Sequence, residues 1–227
     1  MSTEELSTGK CAFCGEVTTH RAMPKHLRGC DARQAAADAA SRGGKAPTEA
    51  LFHLRLQDKY REEYWLDVEM RGAATFAELD AWLRAIWLEC CGHASRFSIG
   101  GWKGEDIAMD ARLSRYFEPG VMLTHTYDFG SSSFTFVKHA STRVAAPLTE
   151  RPVMLLARNL LPAYPCGECG KTAEVLCMHC AVEKGAWNPL CPAHAAKKPH
   201  DRRPPAPLVN SPRVGMCEYA GAAEPPY

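Results

Sequence analysis

The 227-residue sequence predicts an α+β protein: a small mixed sheet with one packed helix, set between two cysteine-rich ends. Three observations predict it. Two alternating apolar runs precede a helical one and further alternating runs follow, unlike the βαβ order of a parallel sheet. The eleven cysteines crowd the ends, three in residues 11–30 and six in residues 166–217, leaving Cys90 and Cys91 between. Apolar residues are 46% of the chain, enough for a core, yet they thin out beyond Pro162.

Residues 1–32 form the first unit. They contain Cys11, Cys14, His26 and Cys30, in the spacing Cys-x2-Cys-x11-His-x3-Cys. A knuckle followed by Gly15 suits the first pair. An x3 interval puts the second pair one helical turn apart, so all four can face one ion. His20 is a rival ligand whose distance from Cys30 does not match a helical turn. This reads as an N-terminal zinc finger, against a metal-free cysteine-rich end as the alternative. Arg21, Lys25 and Arg28 lie on its helix, a solvated face or a nucleic-acid contact. Residues 33–49, Ala-rich and passing through Arg42-Gly-Gly-Lys-Ala-Pro47, read as a helix tail and linker.

The core is expected over residues 50–160. Leu51–Gln57 and Tyr64–Met70 alternate as strands. Thr75-Phe-Ala-Glu78 is a capping box, and Leu79, Leu83, Ile86, Trp87 and Cys90 lie on one face of the helix it starts. Arg96–Ile99 is a short strand ended by two glycines. Val121–Asp128 and Ser132–Lys138 make a hairpin, and Pro152–Leu156 a last strand. Trp82, Trp87 and Trp102 read as packing, and His125 and His139 as surface or satisfied core residues.

The tail, residues 161–221, cannot fold on hydrophobic burial alone. Its order is Cys166-x2-Cys169-x7-Cys177-x2-Cys180-x10-Cys191-x2-His194-x5-His200, with Cys217 beyond. The chain holds three Cys-x-x-Cys pairs, where random placement gives about 0.5. The tail resembles a B-box type of cross-braced zinc module. That resemblance implies one Zn2+ on Cys166, Cys169, Cys191 and His194. It implies a second on Cys177, Cys180, His200 and one more ligand, for which Cys217 is the candidate. The alternative is one four-cysteine ribbon. Three Zn2+ are expected in all, and filled ligand positions favour structural metal. Residues 222–227 are expected to be a disordered end.

Composition narrows the function. A formal charge of +1, from 27 basic and 26 acidic residues, excludes a strongly basic nucleic-acid coat and an acidic tail protein. No run approaches the roughly 20 apolar residues of a membrane span. The start, MSTEELSTGK, is no signal peptide, so a cytoplasmic protein without membrane contact is expected. Cysteines in such a reducing compartment more often bind metal than pair.

Two core strings, WLRAIWLECCGHASRFSIGG at 82–101 and YDFGSSSFTFVKH at 127–139, resemble the plasmid pRiA4b ORF-3-like family, also met as passenger proteins of an insertion element. Thr75, Leu79, His93, Phe97, Tyr127, Asp128, Phe129 and Gly130 carry the likeness, which covers roughly residues 50–160. VNSPRVGMCEYAG at 209–221 resembles a subgroup with a cysteine-rich end. The sequence departs where an acidic residue and a Trp usually follow Tyr-Asp-Phe-Gly; here Ser131, Ser132 and Ser133 follow. The resemblance implies an α+β fold and a mobile-element setting, and no established reaction.

The first functional expectation is a non-enzymatic zinc-binding protein that contacts a protein or a nucleic acid. The alternative is an enzyme with its site on the core around His93 and Asp128. Cys91 with His93 is a further nucleophile pair, weakened by their closeness in sequence. A DNA-binding accessory of a mobile element rests on the basic finger helix.

Overall fold

The computed structural model describes residues 7–43, 47–118, 120–197, 203–217, 219 and 221. His200 and the expected disordered end, 222–227, lie outside the described residues. The head contributes β1 (Thr8–Cys11), β2 (Val17–Thr19), α1 (Met23–Gly29) and α2 (Asp31–Arg42). The core runs β3 (Glu49–Asp58), β4 (Trp65–Arg71), α3 (Phe76–Leu83), β5 (Ser95–Ile99), β6 (Glu105–Ile107), β7 (Met122–Tyr127), β8 (Ser133–Ala145) and β9 (Val153–Asn159). The tail adds β10 (Val175–Leu176), α4 (Met178–Glu183), β11 (Pro189–Leu190), α5 (Pro192–Ala195) and β12 (Ala206–Pro207).

The expected small mixed sheet is corrected. Nine of the described strands form one sheet in the order β2-β1-β9-β4-β3-β8-β7-β5-β6, and its neighbours pair antiparallel. The sheet is large because the head joins it. Gly9, Lys10 and Cys11 of β1 pair with Asn159, Arg158 and Ala157 of β9. Gly9 tolerates no side chain there, since a Cβ would meet the Trp65 ring and the Arg158 carbonyl at 2.5 Å. β10, β11 and β12 form a separate three-stranded sheet.

The alternation of β3 and β4 sorts their residues onto two faces. Phe52, Leu54, Leu56, Leu66, Val68 and Met70 face the main core with Phe76, Leu79, Leu83, Ile86 and Trp87 of the helical segment. The opposite face is buried too. Trp65 is enclosed with Met23, Leu27, Cys11 and Cys30 of the head. His53, Arg55, Asp67 and Glu69 are buried there as well. They are buried as a paired network: Asp67 takes Arg55 at 2.5 Å and His53 at 2.8 Å, and Glu69 takes Arg33 of α2 at 3.0 Å and Arg143 at 2.6 Å. Pairing of this kind is what allows charged groups under a packed layer.

The capping box forms as expected. Glu78 N–H donates to Thr75 Oγ1 at 3.3 Å, and Thr75 N–H donates to Glu78 Oε2 at 2.7 Å. The helix does not continue regularly to Cys90. It passes into a π-helical turn over Arg84–Leu88, and Glu89 is already extended. That change of pitch leaves residues 89–94 free to turn toward β7. None of the helices is long and apolar enough to cross a membrane, among the described residues.

Candidate metal centres

Among the described residues, three groups of three cysteines and one histidine come together, each with all four ligand atoms within 4.8 Å of one another. A tetrahedral zinc site with Zn–S of about 2.3 Å and Zn–N of about 2.0 Å has S···S edges of about 3.8 Å and S···N edges of about 3.5 Å. These edges are the yardstick for each group.

The first group is Cys11, Cys14, His26 and Cys30. Cys11 ends β1, Cys14 follows in a turn, His26 lies on α1, and Cys30 separates α1 from α2. Gly15 holds the turn at φ 76°, where a side chain is strained. Cys11 and Cys30 Sγ are 4.0 Å apart, and Cys14 Sγ is 3.3 Å from His26 Nε2. The other imidazole nitrogen, Nδ1, lies 3.3 Å from Glu16 Oε2. A carboxylate behind a ligating histidine fixes its tautomer and strengthens it as a ligand. Burial pushes the Cys11 thiol up to about 11, while the Glu16 N–H lowers Cys14. His20 is outside the group and packs against Trp65 with ring centroids 6.1 Å apart.

The second group is Cys166, Cys169, Cys191 and His194. His194 Nδ1 lies 3.7 Å from Cys166 Sγ and 3.3 Å from Cys191 Sγ, and Cys169 and Cys191 are 3.9 Å apart. Pro192 opens α5, which places His194 over Cys191. Burial opposes ionisation of Cys166, but backbone N–H groups of Cys191, Glu168 and Cys169 outweigh it and hold the thiol at about 6. The first and second groups match the tetrahedral edges, and protein fills all four positions of each. That leaves no open position for a substrate and suits structural metal.

The remaining tail ligands are distributed differently from the cross-braced expectation. Cys177 caps α4, accepting the Cys180 N–H at 3.4 Å. Neither Cys177 nor Cys180 belongs to any of the three groups, and His200 lies outside the described residues. Cys217 is not their fourth partner. It joins Cys90, Cys91 and His93 in a third group on the core. The reason is the course of residues 208–217, which leave the small sheet and return to the main one. Asn210 and Asn159 exchange hydrogen bonds at 2.6 and 2.8 Å, and Ser211 Oγ donates to the Trp87 carbonyl at 2.6 Å.

In the third group, Cys90 and Cys91 Sγ are 3.4 Å apart. His93 Nε2 is 2.9 Å from Cys91 Sγ and 3.8 Å from Cys217 Sγ. Around it lie Arg213, Asp128 and Tyr127. Arg213, fully buried, donates to Asp128 Oδ2 at 2.5 Å, Cys90 Sγ at 3.3 Å, Cys217 Sγ at 3.4 Å, Ser133 Oγ at 3.0 Å and the Ser131 carbonyl at 2.9 Å. Asp128 has two roles. Its Oδ1 accepts the Gly130 and Ser131 N–H groups, closing a turn. Its Oδ2 lies 3.4 Å from His93 Nε2. Burial raises the Asp128 carboxyl, but those two N–H groups and Arg213 prevail and bring it down to about 2. The hydrogen bond that Cys91 donates to Cys90 Sγ holds its proton and pushes the Cys91 thiol up to about 11.

Sequence reasoning read Cys90 as core, Cys91 with His93 as a nucleophile pair, and Cys217 as a tail ligand. It missed their convergence and missed Arg213. The available signal was the Cys-Cys-x-His string at 90–93, three ligands within four residues but one short of a tetrahedron. The other lone histidines have simple roles. His125 is buried against Asp80 at 2.7 Å, and His139 pairs with Thr142 Oγ1 at 2.8 Å.

Comparison with known proteins adds little. No protein-family model matches the chain, and no curated protein matches it significantly. A crystal structure of a protein of unknown function from Methanosarcina mazei Go1 matches at TM-score 0.42 and 22% identity, over 48% of this chain and 69% of that one. That degree of likeness is too low to transfer a fold or an activity.

Proposed function

We propose that this protein is a non-enzymatic zinc-binding interaction protein, whose flanking metal groups hold surfaces for a protein or nucleic-acid partner. The observation that carries the reading is the pair of closed groups, Cys11/Cys14/His26/Cys30 and Cys166/Cys169/Cys191/His194, built into opposite ends of the chain. A structural zinc contributes on the order of 10 kcal/mol of apparent binding free energy. Head and tail both need such a source, since their own apolar clusters are small. Zn2+ fits the mixed thiolate and imidazole set better than harder cations do. The plasmid-family resemblance, the B-box-like tail and a cytoplasmic location belong to the same proposal and rest on the sequence alone.

Metal content per chain, measured on protein purified without chelator, tests the reading. Cys30→Ser and Cys169→Ser are each expected to lose one zinc. Unchanged counts in both variants sink the proposal. The kind of partner divides on salt. Arg21, Lys25 and Arg28 are exposed on the α1 side. A nucleic-acid partner predicts binding that weakens steeply with salt and is lost in Cys11→Ser.

A second reading, an enzyme centred on His93 and Asp128, is favoured by their 3.4 Å approach beside Cys91. The raised Cys91 thiol runs against it, because the thiolate is the nucleophile. That reading expects Cys91 to react with iodoacetamide at neutral pH faster than a free thiol; slower labelling rejects it.

A further inference from the structure

We propose that Cys90, Cys91, His93 and Cys217 form a third zinc site, which clasps the C-terminal return against the core sheet. Three of the ligands lie within four residues after the π-helical turn, and the fourth arrives from 124 residues further along the chain. This site is distinct from the two that carry the functional proposal, and neither end of the chain supplies more than one of its ligands.

Four observations converge on it. The donor set, three sulfurs and one imidazole, repeats that of the two closed groups. The backbone is bent to deliver it: Cys217 has φ 47° and Asp128 φ 64°, conformations that cost a non-glycine residue energy and cluster at functional sites. A compensating cation is in place. Zn2+ on three thiolates and one imidazole carries a net −1, and the buried Arg213 guanidinium, shared with the Asp128 carboxylate, already donates to two of those sulfurs. Finally, Arg213 and Cys217 belong to the same short segment, so the residue that compensates the site arrives with its fourth ligand.

The group is tighter than a tetrahedron. The Cys91–His93 distance of 2.9 Å is about 0.6 Å short of an S···N edge, so binding must open that pair. Both residues are near the surface, Cys91 exposed and His93 partly so, and Gly92 between them has φ 72° with no atom near a Cβ position. The loop can therefore widen without disturbing the core. An exposed Cys91 and Cys217 also make this the first of the three sites expected to yield to a chelator.

The test is zinc counted per full-length chain by native mass spectrometry, with hydrogen exchange followed over residues 208–217. Wild type is expected to carry one zinc more than Cys217→Ser, and Cys91→Ser is expected to match that loss. Exchange over 208–217 should quicken about tenfold or more in Cys217→Ser. His93→Gln provides the same readout from a surface position if a cysteine variant folds poorly. Cys30→Ser and Cys169→Ser report on the flanking sites separately, so their failure and the failure of the clasp are distinguishable. If Cys91→Ser, His93→Gln and Cys217→Ser all keep the wild-type zinc count, the clasp is overturned. If the count falls but exchange over 208–217 is unchanged, the fastening role is overturned.

Discussion

Arg213 shows how much one residue can decide. Its guanidinium is fully buried and joins Asp128, Ser131, Ser133 and Cys90 across three parts of the chain. Removing one partner of a buried pair strands the other, at about 3–5 kcal/mol. Arg213→Met is therefore expected to lose stability of that order in urea unfolding, and Arg213→Met with Asp128→Asn to recover part of it. Equal losses in the single and double variants would show that the ion pair is not what Arg213 contributes. Nothing in Ser211-Pro-Arg-Val214 announces this in sequence, because the partner carboxylate lies 85 residues away. Asp58 makes the opposite case. Burial pushes its carboxyl up to about 6, against the pull of the Tyr60 and Arg61 N–H groups and the Arg61 charge. A folded pKa above the unfolded one contributes stability below about pH 4, and that contribution is lost as pH rises through 6. Asp58→Asn keeps an oxygen for those N–H groups, so it is expected to raise the melting temperature at pH 7 and to have little effect near pH 4.

At the scale of elements, patterns that depend on near neighbours were legible and those that depend on distant ones were not. The capping box at Thr75 is a four-residue code, and it folds as written. Thr75→Ala is expected to cost about 1 kcal/mol, read from chemical denaturation. A loss under a few tenths would mean that the tertiary hydrogen bonds from Phe76 N–H to the Ala111 carbonyl and Ala77 N–H to the Met109 carbonyl fix the helix start unaided. The period-2 runs of β3, β4, β7 and β8 were equally legible. Their polar positions His53, Arg55, Asp67 and Glu69 lie buried under the head. Alternation specifies two faces but not what covers the second. The π-helical turn left no trace in the apolar spacing either, since Ile86 and Trp87 remain buried through it. That turn takes the chain out of the helix just before Cys90 and brings Cys91 and His93 within reach of the tail.

At the scale of the molecule, the nine-stranded sheet gathers buried charge from separate parts of the chain. Cys11, Cys14, His26 and Cys30, and likewise Cys166, Cys169, Cys191 and His194, each lie within about 30 residues, so their spacing carries information about which of them meet, whereas Cys177, Cys180 and Cys217 do not group as the tail spacing implies. Spacing could not place the third group, split between residues 90–93 and 217. The same long-range assembly fixes how the fold responds to acid. Burial raises the carboxyls of Asp67, Glu69 and Asp80, but hydrogen bonds and charge from His53 and Arg55, from Arg143 and Arg33, and from His125 with Arg84 prevail and lower all three, Asp80 to about 2. A folded pKa below the unfolded one adds stability above about pH 4 that disappears as pH falls toward 2. His125, buried beside Asp80, is lowered by burial and so also favours the folded state only while neutral. Stability is expected to fall steeply below pH 4, the pairs of the head-covered face and of Asp80 failing together. Under the zinc proposal the thiolates would also protonate and release metal on that limb, so the comparison is with Asp80→Asn. That variant should be less stable at pH 7, by about 1–2 kcal/mol after allowing for partial solvent screening, with a correspondingly lower melting temperature, and should approach wild type at pH 2. Melting curves of the two proteins that stay parallel from pH 7 to pH 2 would show that Asp80 is held by packing and not by its charge.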